Sequence, residues 1–503
     1  MRITLRITVL FALFLLIGSA QASEPAALYQ EHCAACHGKD RFGSMGPALL
    51  PESLERLKKA DALKTIRDGR PATQMNGFAD RLNEAQLNAL TSYLYTPVSS
   101  ASTFGADDIR ASRIVHHDRD SLPSVPNALL AGRDRMNLFL VVEVGDHHVS
   151  ILDGDKLEAI HRFPTRYALH GGPKFTADGR FVFFASRDGW ISKFDIWNQK
   201  MLVEVRAGIN TRNVAVSAEG EWVIAANYLP NSLALFDAEL NLVKVFSVTS
   251  ADGKRSSRVS AVYDAAPRNS FVAAMKDIPE VWEISYDPAS SSGFHQLRRT
   301  ELDTTLDDFY FDASYANLMG SNRDGKAQVV NLDMRRKVAD LELSGMPHLG
   351  SGITWAWQGR TVMASPNLKD GAVSVIDMKT WQTVKTIPTL GPGFFMRSHE
   401  NSRYAWVDSM MSKRRDTLQV IDKTTLERVA EITAEPGKTL AHIEFTRDGK
   451  YALASLWERR TDGGAIIVFD AVTLKEVKRI PMDKPVGKYN LYNKINRSEG
   501  TSH

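Results

Sequence analysis

The segment Val149-Ser-Ile-Leu-Asp153 is a short run of alternating apolar residues that ends in Asp, and similar segments return along the rest of the chain. The other seven copies are Ile191–Asp195, Leu233–Asp237, Val281–Ser285, Gln328–Asp333, Val373–Asp377, Leu418–Asp422 and Ile466–Asp470. They follow one another at intervals of 42 to 48 residues, and a second apolar stretch after a turn precedes most of them. Four short strands fill such an interval, which is the length of a propeller blade.

Eight copies therefore predict an eight-bladed β-propeller over residues 113–495. Unrelated β-sandwiches would not explain the even interval. We expect the strand that closes the ring to come either from the segment near 115–140 or from the C-terminal end. Residues 496–503 are interpreted as a C-terminal tail.

The segment Cys33-Ala-Ala-Cys36-His37 is the attachment pattern of a c-type haem, in which both thiols bind the haem and the His reaches the iron. A thioredoxin-like redox pair would lie beside a βαβ pattern, which the flanking sequence does not show. A zinc site would require more Cys or His at ligand spacing. Since the chain has only two cysteines, we expect one covalent haem c.

Residues 1–22 have the features of a secretory signal peptide. Arg2 and Arg6 precede the apolar run Ile7–Gly18, and Ala20-Gln-Ala22 fits the small-residue cleavage rule. The run is shorter than the roughly 20 apolar residues of a membrane helix, so no span is expected after cleavage. Export agrees with covalent haem attachment, which bacteria carry out outside the cytoplasm, and predicts the periplasm.

The overall charge is close to neutral. Removal of the signal peptide takes away two Arg and no acidic residue, which lowers the net charge from +3 to +1. Nucleic acid as a partner would require a strongly basic surface, so we expect none.

Residues 23–97 have the pattern of a small, class-I-like α-helical cytochrome c domain. Pro25–His32 is expected to form a helix that delivers the Cys pair, and Asn83–Tyr95 is an amphipathic helix that Pro97 ends. Residues 98–112 show no apolar period and are interpreted as a linker.

The haem iron of this domain needs a sixth ligand or leaves that position open. Met75 is the favoured candidate, because thioether ligation raises the reduction potential and suits electron transfer. Met45, eight residues after His37 in a Gly-Pro loop, is the rival candidate.

Histidines are the most informative residues of the propeller, because a propeller is a scaffold and its chemistry lies in residues gathered around the axis. We expect His170 and His348 to precede the outer strands of their blades, and His399 and His442 to occupy the equivalent region of later blades. Loops that enter the innermost strand line the axial face, so these four can converge. The others are interpreted as solvated surface residues: His116, His117, His147, His148, His161 and His295.

This arrangement of a c-type haem domain before an eight-bladed propeller resembles the cytochrome cd1 family. The segments that carry the resemblance are Tyr167–His170, Ser186–Asp188, Ala226–Pro230, Met346–His348 and Pro485–Asn493. The resemblance implies that the propeller binds a non-covalent haem d1 and that His170 is the proximal ligand of its iron. It also implies that Arg187, Arg212 and Tyr228 contact the carboxylates or the ring, a role for which Arg is well suited.

The chain departs from the nitrite reductases of this family at one distal position. Those enzymes place two His there as proton donors; His348 matches the second, whereas Asp307 or Asp308 stands in place of the first. The loss of one donor is expected to cripple nitrite reduction, which consumes two protons per turnover. The long N-terminal arm that these reductases often carry is also not evident.

The chain resembles more closely the dihydro-haem d1 dehydrogenase branch of the family, which oxidises a propionate side chain of the tetrapyrrole to an acrylate. This implies an oxidoreductase whose haem c accepts the electrons and whose general base lies near the propionate. His348 and His442 are the candidates for distal ligand and general base, in an order that stays open, and Tyr228 is a candidate for orienting the carboxylate.

Two other functions stay open: a nitrite reductase, and a carrier of haem d1 or electrons that is not an enzyme. The dehydrogenase interpretation implies two protein partners, a nitrite reductase that receives haem d1 and an electron acceptor.

Overall fold

The structure is a computed structural model, and it describes residues 24–44, 46–54, 57–70, 75–98, 103–287, 295, 297–458 and 463–500. The expected signal peptide and Met45 lie outside the described residues. Among the described helices, none combines the length and the apolar character that crossing a membrane takes.

Short helices build the part of the chain before residue 98, which we call the helical domain. Their bounds are Pro25–His32 (α1), Ala34–His37 (α2), Pro51–Leu54 (α3), Lys59–Asp68 (α4) and Glu84–Leu94 (α5). Asn83 caps α5, because its side chain accepts a hydrogen bond from the Gln86 N–H at 2.9 Å. The Gln86 side chain in turn accepts a hydrogen bond from the Asn83 N–H. Leu28 and Tyr29 of α1 pack with Leu87, Leu90 and Leu94 of α5 in one buried cluster. The two helices predicted from the sequence are confirmed.

The segment interpreted as a linker contains a packed helix. Residues Ala106–Ala111 form α6, and Ile109 is buried against blades 2 and 3. Ser112 accepts the Arg206 N–H at 2.9 Å, and Arg113 donates to the Glu239 carbonyl at 2.8 Å. The interpretation of 98–112 as a linker is therefore wrong for Ala106–Ala111. One buried apolar side chain and a few polar contacts are enough to hold this short helix against the propeller.

Eight antiparallel sheets form a ring of blades, each with four strands in order from the axis outward. Blades 1–4 consist of Pro485–Asn490 (β33), Leu138–Glu143 (β2), His148–Asp153 (β3) and Glu158–Pro164 (β4); Lys174–Phe175 (β5), Phe181–Ala185 (β6), Trp190–Asp195 (β7) and Lys200–Arg206 (β8); Asn210–Val216 (β9), Trp222–Leu229 (β10), Ser232–Asp237 (β11) and Leu242–Ser247 (β12); Val259–Ala265 (β13), Ser270–Met275 (β14), Glu280–Ser285 (β15) and Leu297–Glu301 (β16).

Blades 5–8 follow the same order along the chain. They consist of Asp308–Phe311 (β17), Asn317–Ser321 (β18), Ala327–Asn331 (β19) and Arg336–Leu341 (β20); Ile353–Trp357 (β21), Arg360–Pro366 (β22), Ala372–Asp377 (β23) and Thr383–Pro388 (β24); Met396–Arg397 (β25), Tyr404–Val407 (β26), Thr417–Asp422 (β27) and Glu427–Thr433 (β28); Thr439–Phe445 (β29), Tyr451–Trp457 (β30), Gly464–Asp470 (β31) and Glu476–Pro481 (β32). The eight-bladed propeller is confirmed.

The repeated segment forms the third strand of every blade, and its final Asp has a local task. Asp422, for example, accepts the backbone N–H groups of Thr424 and Thr425 in the turn that follows. Asp377 does the same for Lys379 and Thr380. A carboxylate that satisfies two turn donors explains why Asp recurs where the third strand ends.

The ring is closed by the C-terminal strand, one of the two sources expected. β33 pairs with β2, so that the innermost strand of blade 1 comes from the end of the chain. The other source, Ile114–Val115 (β1), instead adds a fifth strand to the outside of blade 2. Closure thus joins strands that are some 340 residues apart, as in the pair Glu143 and Pro485.

The two faces of the ring are covered differently. We call the face at which the innermost strands begin the upper face and the opposite one the lower face. The helical domain touches the upper face, where Arg258 Nη1, just before β13, donates to the Ser53 carbonyl at 3.0 Å. The C-terminal segment crosses the lower face after helix Leu491–Asn496 (α7).

The described part of the expected tail is packed. Arg497 donates to the Asp264 carbonyl of blade 4 at 3.2 Å, and Gly500 donates to the Thr354 carbonyl of blade 6 at 3.2 Å. Ser398 of blade 7 donates to the Gly500 carbonyl at 3.1 Å. Residues 497–500 are therefore part of the lower face.

Truncation before Pro485 is expected to abolish soluble expression, because blade 1 loses its innermost strand and β2 is left with an unpaired edge. Truncation after Asn496 is the matched control, which keeps β33 and α7 and is expected to lower the thermal midpoint by only a few degrees. Soluble yield and thermal unfolding measure both. Equal yields of the two truncated chains would contradict this account of closure.

Candidate functional site

The haem c attachment site lies where α1 meets α2. His37 is buried, and its Nδ1 lies 2.7 Å from the Pro47 carbonyl, to which it donates. Burial lowers the pKa of His37, so the ring is neutral and Nε2 keeps its lone pair. A Cβ on Gly46 would come within 2.6 Å of the His37 ring, which is why the loop needs Gly there. Two thiols beside a neutral His form the donor set that a c-type haem requires.

Met75 packs against the same apolar cluster as Cys33. Its loop is held by the Arg70 N–H, which donates to the Met75 carbonyl at 2.9 Å, and by a bridge between Gly69 and Asn76. Met75 as sixth ligand stays a prediction, and the rival Met45 lies outside the described residues.

A second site, which we call the upper-face pocket, lies around the axis of the ring. The predicted residues that the structure brings together there are His170, Arg187, Arg212, Tyr228, His348 and His442. His170 and His348 precede β5 and β21, which are innermost strands. The expectation that they precede outer strands was wrong, because each blade is built from the axis outward.

His399 does not converge on this pocket. It follows β25 at the lower face, where it is buried and held between the Arg447 carbonyl at 3.1 Å and the Asn401 N–H at 3.0 Å. A residue at the lower end of an innermost strand cannot reach the upper face, so His399 is structural.

His170 is presented by a tight loop against the end of β6. Its N–H donates to the Ala185 carbonyl at 2.9 Å, and its Nδ1 donates to the Arg212 carbonyl at 2.7 Å. Burial, Arg187 and Arg212 hold the pKa of His170 well below its usual value. The ring is thus neutral and its lone pair is on Nε2, as in His37.

The residues after His170 are two glycines, at a point where other side chains approach the main chain closely. Gly171 and Gly172 both have a positive φ, and a Cβ on Gly172 would meet the Tyr489 ring at 3.0 Å. The Arg212 guanidinium lies against the imidazole, with Nη1 3.0 Å from Nε2. A metal bound at Nε2 would require Arg212 to move away from the imidazole.

Cations gather on one side of the pocket around Tyr228. Burial raises the pKa of Tyr228, but Lys276, Arg212 and Arg187 outweigh it and lower the pKa to about 7. Burial and Arg212 lower the pKa of Arg187 to about 10. Half-buried guanidinium groups that repel one another are suited to a ligand with several carboxylates.

Asp307 and Asp308, the residues in place of a distal His, have separate contacts. Asp307 Oδ1 lies 2.7 Å from Lys276 Nζ, and its Oδ2 lies 3.3 Å from Arg323 Nε. Asp308 accepts the Tyr263 hydroxyl at 2.8 Å, and its Oδ2 lies 3.9 Å from His348 Nε2. Asp307 therefore neutralises part of the cation cluster, whereas Asp308 faces the candidate base.

His348 is arranged to accept a proton. Its Nδ1 donates to the Phe394 carbonyl at 3.0 Å, which leaves Nε2 with a lone pair. Burial lowers the pKa of His348 below its usual value, although the nearby Asp308 carboxylate raises it in part. A nearby carboxylate stabilises the imidazolium that forms when Nε2 takes a proton.

His442 has the opposite arrangement of its ring nitrogens. It lies at a bulge in β29 with φ of 51°, and its Nδ1 accepts the Lys488 N–H at 3.4 Å. Lys488 Nζ also donates to the His442 carbonyl and to Ser455 Oγ. Nε2 of a neutral His442 therefore carries the proton in this structure and can donate a hydrogen bond.

Sequence reasoning missed residues that complete this pocket. The Tyr489 ring lies 5.0 Å from that of His442, which lies 4.6 Å from the Phe395 ring. The Phe394 ring continues the row to His348 at 4.2 Å. The segment Pro485–Asn493, which carried part of the family resemblance, was the signal for Tyr489; the Phe pair had none.

Two family models match the chain. The model described as "Cytochrome D1 heme domain" matches residues 133–494. The model described as "Cytochrome C oxidase, cbb3-type, subunit III" matches residues 20–94. The two matches fall on the propeller and on the helical domain.

The chain is similar to curated proteins over most of its length. It is 53% identical to a Pseudomonas aeruginosa protein named dihydro-heme d1 dehydrogenase, with 98% of this chain and 99% of that protein covered. It is 25% identical to a nitrite reductase of Stutzerimonas stutzeri, with 93% and 92% covered. A solved structure described as dihydro-heme d1 dehydrogenase NirN in complex with DHE is 53% identical, with a TM-score of 0.80 and coverage of 94% of this chain and 100% of that one.

Tyr228 is expected to ionise near pH 7 in the protein without tetrapyrrole. Its lowered pKa means that ionisation stabilises the folded state, fully above the ordinary pKa of about 10 and no longer below about 7. The near-ultraviolet tyrosinate absorbance of the parent minus that of Tyr228→Phe measures the titration. A difference spectrum that stays flat around pH 7 would show that the cations do not act on this phenol.

Proposed function

Because the chain belongs to the family of the cytochrome d1 haem domain, we propose that it oxidises dihydro-haem d1 to haem d1. The observation that carries the proposal is 53% identity, over nearly the whole of both chains, to a dihydro-heme d1 dehydrogenase. The pocket agrees with this reaction, since it combines a neutral His170 whose lone pair is on Nε2, a cluster of cations and an unprotonated candidate base.

The reaction converts a –CH2–CH2–COO⁻ side chain of the tetrapyrrole to –CH=CH–COO⁻, so that two electrons and two protons leave the substrate. His170 Nε2 binds the iron of the substrate. Arg187 and Arg212 bind its carboxylates, and Tyr228 orients the carboxylate next to the reacting carbons. Cys33, Cys36 and His37, with Met75 as the favoured sixth ligand, would hold haem c, which would supply a one-electron acceptor.

His348 and His442 take different roles in this scheme. His348 Nε2 removes the proton next to the carboxylate, and Asp308 stabilises the resulting imidazolium. Negative charge then grows on the carboxylate side of the substrate. His442 donates its Nε2–H toward that charge, an interaction that strengthens in the transition state.

The surroundings of the reaction follow from the same assignment. The protein works in the periplasm, where the covalent haem is attached, and passes haem d1 to a nitrite reductase. A separate electron acceptor would receive the two electrons from the protein, one at a time.

An anaerobic reaction of the oxidised protein with dihydro-haem d1 tests the function. The extracted tetrapyrrole is expected to lose two mass units while the haem c absorption changes to that of the reduced state. An unchanged mass with a bound spectrum would indicate a carrier instead. Rapid turnover of nitrite by the reconstituted protein would favour a nitrite reductase.

His348→Gln is expected to slow oxidation by about 10²–10⁴-fold, the usual contribution of a general base, while the tetrapyrrole still binds. His399→Gln is the matched control, because the His399 ring is also hydrogen-bonded to the main chain but lies at the lower face. Single-turnover rates and binding titrations measure both variants. Equal rates for the two variants would exclude His348 as the base.

A further inference from the structure

Asp408 is a fully buried carboxylate that none of the roles above uses. It follows β26 in blade 7, and its side chain has no exposure to solvent. Its Oδ1 accepts the N–H groups of Phe394 at 2.8 Å and Met410 at 3.2 Å, and its Oδ2 accepts the Phe395 N–H at 3.0 Å. Backbone donors from three positions therefore converge on one side chain.

Two of these donors belong to the segment that holds His348. The carbonyl of Phe394, whose N–H is bound by Asp408, is the acceptor for His348 Nδ1. The peptide on one side of Phe394 is thus fixed by the carboxylate, and the peptide on the other side fixes the imidazole. A shift of the Phe394 main chain would rotate the ring of the candidate base.

His442 depends on the same carboxylate from the neighbouring blade. Its backbone N–H faces Asp408 and lowers the pKa of that carboxyl. Its ring lies against Phe395, which is also bound to Asp408. His442 is at a bulge with a positive φ, a backbone state that only surrounding contacts hold in place for a non-Gly residue.

We propose that Asp408 is a positioning residue that fixes His348 and His442 relative to one another, so that one can remove a proton while the other stabilises the charge that forms. The proposal rests on the proposed function. Asp408 acts through the main chain at Phe394, Phe395 and His442 and does not touch the substrate.

The choice of a charged residue at this position supports a role beyond folding. Burial raises the pKa of Asp408 to about 6, although four backbone N–H groups lower it. Its folded pKa lies above its usual value, so ionisation at neutral pH opposes folding. An apolar or amide residue would remove that penalty, but only a carboxylate offers acceptor atoms in every direction.

Asp408→Asn tests the proposal, because the amide keeps the shape of the side chain but turns a donor toward one of the backbone N–H groups. We expect kcat to fall by about 10–100-fold, as for a small misplacement of catalytic groups. KM for dihydro-haem d1 is expected to change by less than about threefold, because the substitution does not touch His170 or the two residues proposed to bind the substrate carboxylates, Arg187 and Arg212.

Asp377→Asn is the matched control. Asp377 is also buried and accepts two backbone N–H groups, in the blade 6 turn far along the strand from the pocket. Its loss is expected to lower the thermal midpoint without changing kcat. An equal fall of kcat in both variants would show that Asp408 is only a structural residue. A higher KM with unchanged kcat in Asp408→Asn would show the same.

Asp408→Glu keeps the test decisive if the Asn variant does not fold. It retains the charge but moves the carboxylate by one methylene, and its kcat is expected to lie between those of the parent and the Asn variant. Parent-like kcat in the Glu variant would overturn the proposal.

The parent protein is assayed first, so that a failure of the proposed function can be distinguished from a failure of the positioning role of Asp408. If the parent binds dihydro-haem d1 without oxidising it, the proposed function fails. Asp408 is then judged by the absorption spectrum of the bound tetrapyrrole, which Asp408→Asn should shift and Asp377→Asn should not. Identical bound spectra in all three proteins would overturn the positioning role as well.

Discussion

The pairing of β33 with β2 is the contact on which the rest of the molecule depends. It turns a row of eight sheets into a closed ring, and only a closed ring brings His170, His348 and His442 from blades 2, 6 and 8 around one axis. The same strand carries Lys488 and Tyr489 into the pocket. Closure and assembly of the site are therefore one event, and neither is complete without the end of the chain.

A single hydrogen bond sets the chemistry of each histidine. His37, His170 and His348 each have Nδ1 next to a backbone carbonyl, so the lone pair of each neutral ring is on Nε2. His442 has Nδ1 next to a backbone N–H instead, which reverses its role. The residue type is the same in all four cases, and the polarity of the neighbouring main-chain group decides which ring nitrogen has the proton.

Much of the fold was readable from the sequence because it repeats. The interval between the Asp-ended strands predicted eight blades, and the Cys pair with His37 predicted the haem c site. The order of strands within a blade was misjudged, since periodicity alone does not say which strand is nearest the axis. Asp408 and Lys488 could not be predicted, because their partners Phe394 and His442 are distant in sequence and are joined through the main chain. α6 was missed since one buried residue, Ile109, gives no period.

The C-terminal segment covers part of the lower face of the ring. Helix α7 and residues 497–500 cross the lower face from blade 4 to blades 6 and 7, while the helical domain is seated at the opposite opening through Arg258 and Ser53. Under the proposed function, the tetrapyrrole would enter and leave on the face that the helical domain contacts. Release of product and transfer of electrons would then both depend on how long the helical domain stays on that face.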